Sequence, residues 1–147
     1  MPIAQVVGTV LDCIGKTPVV KLEKMVPSTS ADVLVKLEFI SPTGSYKDRL
    51  ALAMVEGAER RGKLKPGMRV VEYTGGSTGS SLAMVCAVKG YRFLAVTSDA
   101  FAEEKLNTMR AMGAELEILP SDQGRITPEL FDNMLGEAAR LAKEPGN

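Results

Sequence analysis

From position 33 onward, short apolar runs alternate with helical patterns of ten or more residues. Residues 33–38 read as a short apolar strand. Ser45 can cap a helix running to about position 61, with Leu50, Ala53, Met54, Gly57 and Ala58 on one face. Arg60 and Arg61 fall in its last turn and Gly62 just past its end. Arg69–Tyr73 is a second strand, after a Pro66-Gly67 turn. The helix from about position 78 to Lys89 is apolar on nearly every side, which predicts burial, and Gly90 stops it. Residues 91–97 are a third strand. Its centre, Phe93-Leu94-Ala95-Val96, is continuously apolar, as a strand covered on both faces should be. Ser98 or Asp99 can cap the next helix, with Ala102, Leu106, Met109 and Met112 on one face and Gly113 at its end. Glu115–Leu119 alternates polar and apolar, the pattern of an edge strand. Thr127 caps a last helix with Pro128 at its first position and Phe131, Met134, Leu135, Ala138 and Ala142 as its buried stripe. The alternation predicts an α/β fold: a parallel sheet of about four strands with helices on both faces. Residues 1–30 do not fit the repeat, and residues 19–22 read as a separate short strand.

Composition narrows the chemistry. The 147 residues carry 18 basic and 18 acidic side chains, so there is no electrostatic case for nucleic acid or an anionic membrane surface. No apolar run reaches membrane-spanning length. Residues 1–5 lack the basic and apolar parts of a signal peptide, and a cytoplasmic, thiol-reduced chain is expected. There is no histidine, which removes Ser-His-Asp and Cys-His catalysis and most zinc sites. Cys13 and Cys86 lie far apart without metal-ligand spacing, so no metal site is expected, and Cys86 reads as a small core residue.

In open parallel sheets, ligands bind beyond the carboxyl ends of the strands. Two loops are expected there. The first, Ser41-Pro42-Thr43-Gly44-Ser45-Tyr46, delivers Lys47 to the first turn of a helix. Helix N-termini disfavour cations, so an ammonium is out of place there unless neutralised, whereas a reactive amine benefits. The plainer alternative is a surface lysine paired with Asp48. Arg49 is expected to pair with a carboxylate rather than with a ligand. The second loop, Thr74-Gly75-Gly76-Ser77-Thr78-Gly79, is rich in glycine and hydroxyls and suits a carboxylate or phosphate. It is not a P-loop, and it lacks the full dinucleotide fingerprint. A nucleotide-binding α/β domain is the weaker alternative.

These residues carry a resemblance. Ile14-Gly15-Lys16-Thr17-Pro18-Val19-Val20-Lys21-Leu22 resembles the G-x-T-P-L-V-x-L opening of the cysteine synthase and cystathionine β-synthase family. The segment from Lys36 to Arg49 resembles its K-L-E-x-x-N-P-x-G-S-x-K-D-R motif, and Glu72 to Gly79 its E-x-T-S-G-N-T-G loop. Ala111-Met112-Gly113-Ala114-Glu115 resembles its A-L-G-A-E. The chain is thus similar to the N-terminal half of fold-type II pyridoxal-phosphate enzymes, the tryptophan synthase β-like superfamily.

The resemblance implies that Lys47 carries pyridoxal 5'-phosphate covalently and later acts as the proton-transfer base. It implies that Thr74, Gly75, Gly76, Ser77 and Thr78 bind the α-carboxylate of an amino-acid substrate, with Ser77 where the family asparagine contacts the cofactor's 3'-oxygen. Ser77 and Gly75 depart from the family's asparagine and serine. The implied reaction is β-replacement on an O-activated serine, with sulfide or another nucleophile, and the family implies a homodimer. It assigns residues 1–36 to an N-terminal segment of a large domain and residues 37–147 to the small α/β domain, with the C-terminal large domain absent. The phosphate-binding loop would lie in that absent part, so the chain alone is expected to be inactive. The alternative from a different class is a non-catalytic module that self-associates or binds a small anion.

Overall fold

The computed structural model describes residues 6–147. Residues 1–5, on which the absence of a signal peptide was read, lie outside the described residues. Three parallel strands form the central sheet: β3 (Arg69–Tyr73), β4 (Arg92–Ser98) and β5 (Glu115–Leu119), in the order β3-β4-β5. Val71 stands opposite Leu94, and Val96 opposite Glu117. Helices α1 (Lys47–Arg60), α2 (Ser77–Lys89), α3 (Glu103–Ala111) and α4 (Pro128–Leu141) complete the fold.

The apolar run of β4 divides by its period of two. Phe93 and Ala95 enter a core with Ala51, Val55, Leu82, Val85 and Met109 of α1, α2 and α3. Leu94 and Val96 enter a second core with Leu130, Met134, Ala138 and Leu141 of α4. Central α2 is buried continuously from Gly79 to Cys86, as its all-round apolar character predicts. Burial pushes the Cys86 thiol up to about 12, consistent with an inert core residue. Thr127 Oγ1 accepts from the Leu130 N–H at 3.2 Å with Pro128 following, the cap read from the sequence.

Four expectations need correction. Residues 33–38 do not join the parallel sheet, which therefore has three strands rather than about four. Within them, β2 (Leu34–Lys36) pairs antiparallel with β1 (Val19–Lys21), Val20 opposite Val35. Both strands are exposed throughout, so this ribbon lacks the two-sided burial that defines β4. Second, α1 buries Asp48, Ala51, Val55 and, as expected, Gly57, but leaves Leu50, Ala53 and Met54 exposed. Asp48 is anchored inward and sets the rotation of the helix. Third, α4 buries Leu130, Met134, Ala138 and Leu141, while Phe131 and Leu135 are 43% and 50% exposed. Two apolar stripes run along α4, and the sheet covers only one. Fourth, Ala102 precedes α3 without a side-chain cap. Ser98 and Asp99 serve the turn after β4 instead: Ser98 Oγ accepts from the Ala100 N–H at 3.2 Å, and Asp99 Oδ1 from the Ser121 N–H at 2.8 Å.

Among the described residues, no helix is long and apolar enough to cross a membrane, and no cluster of three or more His, Cys, Asp or Glu side chains could hold a metal ion.

Candidate functional site

The lysine turn is built by the residues on either side of Lys47. Gly44 takes a left-handed φ of 75° and donates its N–H to Ser41 O at 2.7 Å. Ser45 Oγ accepts from the Lys47 N–H at 3.2 Å, so this serine does satisfy a first-turn donor, although Tyr46 is the residue that precedes the helix. Asp48 is fully buried. Its carboxylate accepts from the Thr43 N–H at 2.9 Å, from the Thr43 hydroxyl, and from the Ser81 hydroxyl of α2 at 2.6 Å. Asp48 thus faces the interior and is not the partner of Lys47, as neighbours in a helix point apart.

Arg49 pairs with a carboxylate, as read. Its Nε and Nη2 donate to Glu38 Oε2 and Oε1 at 3.1 and 3.0 Å, and Nη2 also reaches Thr17 Oγ1 at 3.0 Å. The Thr17 hydroxyl donates to Glu38 Oε1 at 2.7 Å. The Arg49 hydrogen bond, then the Thr17 one, hold the Glu38 carboxyl below the usual glutamate range. Three motif positions far apart in sequence therefore form one brace beneath the lysine turn.

The second loop is stabilised from within. Thr74 Oγ1 accepts from the N–H groups of Gly76 at 3.4 Å and Gly79 at 3.1 Å, which leaves its hydroxyl hydrogen to donate elsewhere. Ser77 and Thr78 open α2, where N–H groups have no intrahelical acceptor. Gly75 lies under Phe101: a Cβ there would come within 2.3 Å of the ring. Gly79 is equally tight, with a Cβ 2.3 Å from Met109 Sδ and 2.8 Å from Thr74 Cγ2.

Lys47 lines one cavity of about 450 Å³ together with Tyr73, Thr74, Gly75, Gly76, Ser77, Thr78, Phe101 and Phe131. All six residues expected at the site thus border a single crevice, of a size ordinary for small-molecule sites. Lys47 is partly buried, and its amine lies 4.5 Å from the centroid of the Tyr46 ring. The loop offers first-turn N–H groups and the positive end of the α2 dipole, and the lysine offers an amine. This donor set fits an acid bearing a carbonyl that an amine can attack. Sequence reasoning missed Asp48, Ser81 and Phe101. The inward role of Asp48 had one available signal, its position next to a residue expected to face the crevice.

Glu72 belongs elsewhere. It alternates with Tyr73 along β3 and lines a separate cavity of about 360 Å³ with Met54, Leu64, Val70 and Leu82. Burial pushes its carboxyl above the usual range, against a lowering contact from the Tyr73 N–H. The folded chain holds this proton more tightly than the unfolded one. The stability so gained is present below the unfolded pKa and is lost as pH rises through the folded one. Glu72→Gln is expected to remove that fall and to be more stable than the wild type at neutral pH. Chemical denaturation of both proteins across the carboxylate range checks this, and superimposable pH profiles would contradict it.

Comparison with known proteins gives consistent relatives. Residues 10–147 match the family model described as pyridoxal-phosphate dependent enzyme. The chain is 50% identical over 140 residues to a cysteine synthase of Staphylococcus aureus strain N315, covering 95% of this chain and 43% of that protein. It is 45% identical over 145 residues to an O-ureido-L-serine synthase of Streptomyces lavendulae, covering 95% of this chain and 44% of that protein. Among solved structures, a cysteine synthase of Entamoeba histolytica superposes with a TM-score of 0.86 at 34% identity, over 99% of this chain and 43% of that one. The chain therefore spans less than half the length of these relatives.

Proposed function

The chain belongs to the pyridoxal-phosphate dependent enzyme family, and we propose on that premise that it carries the amine and the carboxylate-binding loop of a cysteine synthase-type site. The observation that carries this reading is that Lys47 and the loop of Thr74, Gly75, Gly76, Ser77 and Thr78 border one crevice. In this reading the reaction is β-replacement on an O-activated serine, with sulfide as one nucleophile. When bound, pyridoxal 5'-phosphate supplies a conjugated ring that takes up the electron pair left at the substrate's α-carbon. The Lys47 amine holds that cofactor covalently and, once released, moves the proton at the α-carbon. The loop holds the α-carboxylate through the N–H groups that open α2, aided by the helix dipole. Ser77 supplies a hydroxyl for the cofactor's 3'-oxygen where the family has an asparagine amide.

A phosphate dianion needs several directed donors, and those of the loop are committed to the carboxylate. The phosphate donors are therefore assigned to polypeptide beyond this chain, with residues 1–36 as part of a large domain and residues 37–147 as the small one. Exposed Val19, Leu34, Phe39 and Ile40 supply apolar surface for such a partner or for a second subunit.

The test is spectroscopic. The 147-residue chain is titrated with pyridoxal phosphate, alone and with a polypeptide covering the remaining part of a cysteine synthase relative. The visible band of the bound cofactor is expected to be weak alone, to rise with the complementing polypeptide, and to vanish in Lys47→Ala. A band of equal strength in the variant would remove Lys47 from the role, and a strong band without the complement would show that the chain holds the phosphate itself.

A further inference from the structure

The crevice has a wall that neither the lysine nor the loop accounts for. Phe101 follows the turn after β4, its N–H donating to Ser98 O at 3.2 Å. Its ring occupies the space that any side chain at position 75 would need, since a Cβ there would come within 2.3 Å of two ring carbons. Phe131 of α4 extends the wall, its ring centroid 6.4 Å from that of Phe101 at an interplanar angle of 60°. Both rings line the crevice that Lys47 enters.

We propose that Phe101 is a specificity-determining residue of this crevice, made possible by Gly75, and that it selects amino acids whose β-substituent is planar and apolar over compact polar ones. The proposal rests on the amino-acid reading above. An amino acid there is held at two points, its nitrogen by the cofactor that Lys47 would anchor and its carboxylate at the start of α2. Its third substituent is left with the remaining wall, which is aromatic. A flat group gains contact and stacking against Phe101 and Phe131, whereas a hydroxymethyl group gains little. Gly75 and Phe101 are matched, because a serine at 75 and the ring cannot occupy the same volume.

The test uses the isotopically labelled 147-residue chain, supplied with pyridoxal phosphate and the complementing polypeptide, and two probes, O-benzyl-L-serine and L-serine, each titrated while the amide resonances of the 74–78 loop are followed. The wild type is expected to favour O-benzyl-L-serine. Phe101→Ala is expected to cut that preference roughly tenfold, mainly through loss of O-benzyl-L-serine affinity, and Phe101→Leu, which keeps an apolar core contact, to give an intermediate ratio. Gly75→Ser is expected to lower the unfolding temperature, and Phe101→Ala in the same chain to restore much of it, since the clash is between these two positions. An unchanged ratio in both Phe101 variants overturns the proposal and leaves the amino-acid reading standing. So does a Gly75→Ser chain that keeps wild-type stability and the wild-type ratio. Failure of the wild type, with cofactor and complementing polypeptide present, to bind either probe overturns both.

Discussion

Asp48→Ala is expected to lower the unfolding free energy by about 3 kcal/mol, read by chemical denaturation. The carboxylate is fully buried and accepts from the Thr43 N–H, the Thr43 hydroxyl and the Ser81 hydroxyl. Alanine removes all three contacts. The Thr43 and Ser81 hydroxyls, 3.3 Å apart, can turn to each other. The Thr43 N–H and one hydroxyl hydrogen still lose their acceptor, and each buried donor left unmade costs about 1–3 kcal/mol, less whatever solvent recovers at Thr43. Asp48→Asn is expected to cost less, but still about 2 kcal/mol, because its amide N–H₂ cannot accept and must face a donor. A loss below about 1 kcal/mol in the alanine variant would show that the network is not a structural tie. The consequence reaches the site. The Asp48–Ser81 bond joins the first turn of α1 to the opening turns of α2, and so sets Lys47 beside the 74–78 loop. Lowered stability in Asp48→Ala should therefore come with a weakened cofactor band even at temperatures where the chain is fully folded.

That same bond shows what could be read from the sequence and what could not. The alternating elements were legible because each has a local cause: the two-sided apolar run of β4, the Thr127-Pro128 start of α4, the all-round apolar α2. The proximity of Lys47 to the 74–78 loop was expected from two loops at the carboxyl ends of one parallel sheet. The structure brings them together differently. The strand before Lys47 lies in the separate β1–β2 ribbon, and the helix starts meet because α1 packs beside α2 through Asp48 and Ser81. A buried aspartate is invisible to a hydrophobic pattern, and for that reason the face of α1 was misjudged by one position. The stripe of α4 failed for another reason: Phe131 and Leu135 are as apolar as Leu130 and Leu141, and only the position of the sheet decides between them. The Phe101–Gly75 contact joins two loops across the strand ends, and nothing local to either residue announces it.

Gly79→Ala tests the other side of the crevice, and its two effects have opposite signs. Alanine is favoured over glycine within a helix by about 1 kcal/mol. At this position, however, its Cβ would lie 2.3 Å from Met109 Sδ and 2.8 Å from Thr74 Cγ2. Met109 of α3 is fully buried in the core with Leu82 and Phe93, so its sulfur cannot withdraw without repacking that core. Thr74 is no freer, because its hydroxyl accepts from the Gly79 N–H itself and from that of Gly76. Overpacking of this severity costs about 3 kcal/mol, which leaves a net loss of about 2 kcal/mol. Combining Gly79→Ala with Met109→Ala should cost less than the sum of the two single changes, since the smaller side chain makes room for the added methyl. Strict additivity would place the strain at Thr74 instead. In that case the loop itself must shift, and the cofactor band, rather than the unfolding free energy, should register the larger change.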